Sequence, residues 1–320
     1  MESGDAPDAL DRDALRARRE AARARRRRAR LRGLAVLGAA LAVLVAAVVA
    51  LAGAGGGGGT KPGSASPAAL NGGTATSGST SKKGTQGSPA NLDALVAAGK
   101  PVYCGGGHQR LVALTFDDGP GPYTNFALDQ LGRAQVRATW FLVGRNLQTF
   151  ASLPPKEMAR GELADHSWTH PPLTALAPDA ATSEIQRTRD AVSAIAGRPI
   201  RMFRPPYGLR NASIDDTVRR LGMVNVIWNV DSLDSAGADK HRIAATVIAN
   251  LRPGAIVLMH ENRGQTIQAL HKILPALSRK KLQAVPLSEL LQRDPPSRAQ
   301  LDRGPDGCPK QTGGGVSAGG

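Results

Sequence analysis

The chain has 320 residues, room for one domain of about 200 residues with appendages on either side. Its formal net charge is +15, yet no basic helix carries interleaved aromatic residues, which excludes a nucleic-acid reader. The only two cysteines, Cys104 and Cys308, allow a single disulfide joining the ends of the domain in an oxidising compartment.

The first predicted element is an arm over 1–32 whose second part, DRDALRARREAARARRRRARLR, holds eleven arginines. From Gly33 to Ala54 the stretch GLAVLGAALAVLVAAVVALAGA has no charge and about the length that crosses a bilayer. Arginines before the span and none close after it predict a single-pass signal anchor with a cytoplasmic N-terminus. The apolar run exceeds a secretory h-region, although cutting near ALAGA would release the rest as a secreted protein. Residues 55–108 begin as a Gly/Ser/Thr-rich linker, a flexible tether for a domain outside the cell membrane. The domain is expected over 109–292 and a polar tail over 293–320. Nothing in the sequence sets an oligomeric state.

Within the domain, short apolar runs alternate with helical stretches. RLVALTF (110–116), RATWFLV (137–143), GMVNVIW (222–228), GAIVLMH (254–260) and LQAV (282–285) read as strands. Helices are expected from Tyr123, Pro178, Ser213, Asp239 and Thr266, with Gly197, Gly222 and Pro253 as stops. This alternation predicts an α/β domain with a parallel sheet covered by helices. Polar residues follow the C-terminal ends of the apolar runs: Asp117 and Asp118, Arg204, Asp231 and Asp234, and His260. In a closed β/α barrel those ends share one face, so these residues are expected to converge. His108, His241 and His271 have no partners at suggestive spacing and read as surface or packing residues; Trp140 reads as core.

HSWTH puts His166 and His170 four residues apart, which on a helical turn aims both imidazoles one way. Two neutral imidazoles holding a divalent cation need an anionic ligand, and one aspartate of TFDDGP (115–120) supplies it while leaving a position open for water. Two histidines and a carboxylate also describe an Fe(II) oxygenase site. A spare aspartate, a strand-end histidine and the RPPYG turn instead match the base, acid and oxyanion donor of a hydrolase.

TFDDGP (115–120), HSWTH (166–170), RPPYG (204–208), DSLD (231–234) and LMH (258–260) together resemble the five ordered motifs of the polysaccharide deacetylase family, the NodB-homology domain of carbohydrate esterase family four. The resemblance covers residues 109–292 and implies a distorted (β/α) barrel, here preceded by one transmembrane helix. It implies metal-dependent removal of acetyl groups from N-acetylglucosamine polymers or acetylated xylan, with zinc as the usual ion and cobalt or manganese as substitutes. By motif, Asp118, His166 and His170 would bind the metal and Asp117 would be the general base. Arg204 would orient Asp117, the Tyr207 backbone N–H would meet the oxyanion, and Asp234 would tune His260, the general acid. Leu258 would line the acetyl pocket and Pro206 would touch substrate; Trp168, inside HSWTH, reads either as a sugar platform or as a brace for the metal loop. Two departures from the family pattern stand out. Ser235 replaces a common Trp, and Asp165 replaces a common Asn, adding a negative charge near the metal. An exported, tethered domain points to peptidoglycan as the glycan; chitin, poly-N-acetylglucosamine and xylan are alternatives. A glycan-binding module without activity is the rival from another class, and the presence of Asp117 and His260 argues against it.

Overall fold

The computed structural model describes residues 90–310. The Arg-rich arm, the expected span at 33–54, the linker up to residue 89 and the tail beyond 310 lie outside these residues. Among the described residues no helix is long and apolar enough to cross a membrane.

Eight strands form the sheet: β1 (Leu111–Gly119), β2 (Ala138–Leu142), β3 (Gly161–Asp165), β4 (Met202–Phe203), β5 (Val224–Asn225), β6 (Val230–Asp231), β7 (Ile256–His260) and β8 (Gln283–Ala284). Every pairing is parallel, in the order β5-β4-β3-β2-β1-β7-β6, and β8 pairs with the first residues of β1. Among the described residues no ladder joins β5 to β6. The sheet is a curled, parallel half-barrel, the open form of the distorted barrel expected from the resemblance. The strands on that side, β4, β5 and β6, have two residues each and offer too few hydrogen bonds to complete a ring. β1 is central and buried along its apolar stretch, which is why it reads as an unbroken hydrophobic run.

Among the described residues ten α-helices accompany the sheet: α1 (Ala90–Ala98), α2 (Thr124–Arg133), α3 (Asn146–Thr149), α4 (Pro154–Met158), α5 (Pro178–Ala196), α6 (Ala212–Arg220), α7 (Lys240–Asn250), α8 (Gly264–Arg279), α9 (Leu287–Arg293) and α10 (Arg298–Arg303). Local chemistry marks their ends. Asn211 caps α6 by accepting the Ile214 N–H, and Asp239 caps α7 by accepting those of His241 and Arg242. Pro178 opens α5, and Gly197, at φ +65°, closes it in the left-handed conformation.

The larger core lies under α2, α5, α7 and α8, and includes Trp140 stacked on Phe116 at 4.9 Å, in agreement with the core reading of Trp140. A second cluster packs Leu92 and Leu95 of α1, with Val102, against Leu287, Leu290 and Leu291 of α9 and the sheet residues Leu111, Phe141 and Val224. Residues 90–108, read from sequence as linker, are thus part of the folded unit. So are 293–308, read as tail, because α10 and the Cys104–Cys308 disulfide, with a Cα separation of 5.8 Å, hold the two ends together.

Candidate active site

Parallel strands put their C-terminal ends on one side, and the sequence-predicted site residues follow those ends. Asp117 lies opposite His260 in the β1–β7 ladder, and Thr115 lies opposite Leu258. Alternation along a strand then puts Thr115, Asp117, Leu258 and His260 on one face. The Asp165–Phe203 pairing of β3 with β4 brings His166 beside Arg204.

Arg204 is completely buried. One guanidinium nitrogen donates to Asp117 Oδ1 at 2.7 Å and to Thr115 Oγ1 at 2.8 Å, another to the Ile227 carbonyl at 3.1 Å, and the ring of Phe141 lies 4.1 Å away. These bonds fix one oxygen of Asp117. The other, Oδ2, lies 3.7 Å from His166 Nε2.

Asp118 Oδ1 lies 3.7 Å from His166 Nε2 and 3.2 Å from His170 Nε2, and the three ligand atoms fall within 4.8 Å of one another. His166 Nδ1 donates to the Arg204 carbonyl at 2.8 Å, so its Nε2 lone pair faces this cluster. Buried Asp118 Oδ1 accepts no well-aligned hydrogen bond among the described residues. Burial opposes the ionised form of Asp118, but the His170 contact and the charges of His166, His260 and His170 outweigh it and hold its carboxyl below the usual range. Burial pushes His166 down despite Asp117 and Asp118, toward the neutral form that ligates metal. An anionic oxygen without a donor and two imidazole nitrogens aimed together are the donor set a divalent cation requires, so these residues fit the metal.

HSWTH is not the helical turn expected from its spacing. It is a loop after β3 in which Ser167 and His170 adopt φ of +64° and +61°. Those left-handed residues fold the chain back, and Ser167 Oγ accepts the His170 N–H. Of the seven non-glycine residues with positive φ among those described, five lie in site segments: Asp118, Ser167, His170, Tyr207 and Leu233. Backbone strain is thus concentrated where side chains must converge. Asp165 accepts the Ser167 N–H at 2.7 Å and is fully buried. Burial raises its carboxyl well above the usual range, against that hydrogen bond.

Asp234 is the partner of His260: Oδ1 accepts from Nδ1 at 2.7 Å, and Oδ2 accepts the His260 backbone N–H at 2.8 Å. Burial alone would lower His260, but the bond to Asp234 and the charges of Asp234, Asp117 and Asp118 raise it. Asp231 Oδ1 accepts the Leu233 N–H at 2.7 Å, capping the turn that carries Asp234.

Tyr207 sits in a 3₁₀ turn at Pro206–Gly208 with φ +61°, its ring edge-on to His170 at 4.7 Å. Pro206 is buried within that turn, and Leu258 is buried in β7. The Arg187 guanidinium covers the ring of Trp168 at 3.7 Å, and the ring packs against Gly144. These contacts brace the loop, and the ring remains partly exposed. Ser235 is exposed.

Several site residues escaped the sequence reading. Thr115 was visible as a polar residue inside an apolar run; Thr266, which donates to Asp234 Oδ2 at 2.6 Å, carried no signal. Asn262 donates to Asp118 Oδ2 at 3.1 Å. Beside His260, fully buried Glu261 accepts from Thr124 Oγ1 and neighbours fully buried Glu157. Burial drives the Glu261 carboxyl up to about 8; Thr124 and Glu157 hydrogen bonds oppose this, and the charges of Asp118 and Asp117 add to it. Glu157 is also raised, by burial and by Glu261.

The family model for polysaccharide deacetylase matches residues 105–226. A chitooligosaccharide deacetylase of Bradyrhizobium sp. (strain ANU 289) is 35% identical over 198 residues, which span 57% of this chain and 90% of that protein. A peptidoglycan-N-acetylglucosamine deacetylase of Bacillus cereus is 34% identical over 189 residues, 57% of this chain and 68% of that one. The crystal structure of a peptidoglycan N-acetylglucosamine deacetylase superposes with a TM-score of 0.59 at 30% identity, covering 64% of this chain and 98% of that chain.

Proposed function

Because the chain belongs to the polysaccharide deacetylase family and is a hydrolase, we propose that it removes N-acetyl groups from N-acetylglucosamine residues of a cell-wall glycan, peptidoglycan first. The observation that carries the reading is that Asp117 Oδ2 and Asp118 Oδ1 both lie 3.7 Å from His166 Nε2. A free carboxylate oxygen thus adjoins the metal-ligand set while Arg204 holds its twin.

Asp118, His166 and His170 would hold the divalent metal, zinc foremost with cobalt or manganese as substitutes. When bound, that ion supplies Lewis acidity for the carbonyl and acidifies a water. Asp117 takes the proton of the attacking water through Oδ2, and Arg204 keeps the carboxylate turned so that Oδ2 stays available. The backbone N–H of Tyr207 stabilises charge on the carbonyl oxygen. Leu258, beneath His260 on the same face of β7, receives the acetyl methyl. An amine leaves poorly unless protonated, and His260 delivers that proton while Asp234 stabilises the imidazolium. Acetate and a free amino sugar result.

The arginine-rich segment before Gly33 and the uncharged stretch to Ala54 support a single-pass anchor with the catalytic domain outside the membrane, which brings it to the wall polymer. The deciding experiment is acetate release from peptidoglycan, chitin oligomers and acetyl-xylan, with and without chelator. Release from peptidoglycan that chelator abolishes and zinc restores is expected. Preference for chitin oligomers or xylan would reassign the polymer, and no release from any of them with zinc present would sink the reading.

A further inference from the structure

We propose that Thr266 is a positioning residue for the general acid His260, acting through Asp234; the inference rests on the deacetylase reading above. Asp234 is buried and accepts three hydrogen bonds: from His260 Nδ1 at 2.7 Å, from the His260 backbone N–H at 2.8 Å and from Thr266 Oγ1 at 2.6 Å. Two of these come from His260, the residue Asp234 serves, and they tie Asp234 to β7 alone. Thr266 supplies the third from a different element, the first turn of α8, where its own N–H is bonded to the Arg263 carbonyl at 3.1 Å.

A threonine in a helix usually turns its hydroxyl back to a carbonyl of the preceding turn. Thr266 is fully buried and directs its single hydroxyl proton to Asp234 Oδ2 instead. Hydrogen bonds to an ionised group are the stronger kind, and a buried carboxylate that loses a donor has no water to replace it. Without the hydroxyl, Asp234 Oδ2 keeps only the His260 N–H, and the carboxylate is held less firmly about its side-chain bond. The Nδ1 contact then loosens, and Nε2 of His260 is no longer held where the departing nitrogen must be protonated.

This role has a leaving-group signature. When the C–N bond of an acetamide breaks, the electron pair goes to nitrogen, which needs the proton of His260. An aryl acetate such as 4-nitrophenyl acetate releases a stable phenolate that needs none. In the zinc-loaded full-length protein, Thr266→Val, which keeps the shape and removes the hydroxyl, should lower kcat on a chitin pentamer about tenfold or more, with KM unchanged. Its rate on 4-nitrophenyl acetate should stay within about twofold of wild type, and Thr266→Ser should restore the pentamer rate. Equal losses on both substrates, no loss on the pentamer, or failure of serine to rescue would overturn the proposal.

A second measurement does not depend on turnover. In histidine-labelled protein the Nδ1–H signal of His260, identified by its disappearance in His260→Gln, should persist in wild type and Thr266→Ser and be lost to solvent exchange in Thr266→Val. Wild-type protein that releases no acetate would count against the deacetylase reading alone; an unchanged Nδ1–H signal in Thr266→Val would count against the role of Thr266.

Discussion

Asp117, His260 and Glu261 are buried or nearly so, and each makes a separable prediction. Asp117 is the proposed base and not a ligand, so Asp117→Asn should keep zinc binding while kcat falls at least about a hundredfold. Loss of zinc together with activity would return Asp117 to the ligand set. His260 must be protonated to act, and its pKa is raised from 6.5 by Asp234 and the neighbouring aspartates, against burial. The alkaline limb of kcat/KM is therefore expected above pH 6.5, and a limb below it would contradict the assignment. Glu261 stays neutral in the fold up to about 8 but ionises from 4.5 in the unfolded chain. Between those values the unfolded state binds fewer protons, so its contribution to stability falls as pH rises through that window. From pH 5 to 8, Glu261→Gln should gain stability relative to wild type in denaturant unfolding, and parallel curves would refute this.

The elements show why some of this was legible and some was not. β1, β2 and β7 read correctly because strands covered on both faces carry long apolar runs, and the helices from α5 to α7 read correctly because Pro178, Gly197, Asn211 and Asp239 mark their ends. β3 was missed because GELAD carries Glu162 and Asp165, both buried. Glu162 is satisfied by Thr139 Oγ1 at 2.9 Å and the Ser288 N–H at 2.8 Å, partners that no linear pattern reveals. β4 and β6 are too short for alternation to register. The histidine loop shows the same limit, since the ligand types were readable but the left-handed residues that bring them together were not. That loop leans on Gly144, where an added Cβ would stand 2.2 Å from Trp168 Cε3 and 2.7 Å from Thr188 Oγ1. Gly144→Ala should push Trp168 and its loop outward, weakening zinc affinity about 10- to 100-fold and costing about 1–3 kcal/mol. Zinc titration and thermal melting measure both, and unchanged zinc affinity would show that the loop does not depend on this packing.

At the scale of the whole folded unit, the two ends of the described chain pack side by side. α1 meets α9 through Leu92, Leu95, Leu287 and Leu291, and Cys104 and Cys308 are joined across a separation of 204 residues. Constraining so long a loop in the unfolded state is worth about 2–4 kcal/mol. The double variant Cys104→Ser, Cys308→Ser should therefore melt about 5–15 °C lower, with turnover at 25 °C intact because neither sulfur is part of the site. An unchanged melting temperature would mean that the packing of α1 on α9 alone holds the termini. The same bridge makes a closed ring of nearly everything between the first residues of the folded unit and its last. A protease that cuts one surface loop inside that ring cannot release a fragment. The nicked enzyme would travel as a single species in a non-reducing gel and part into two pieces only after a thiol is added, so one cut would leave the two halves of the folded unit fastened together.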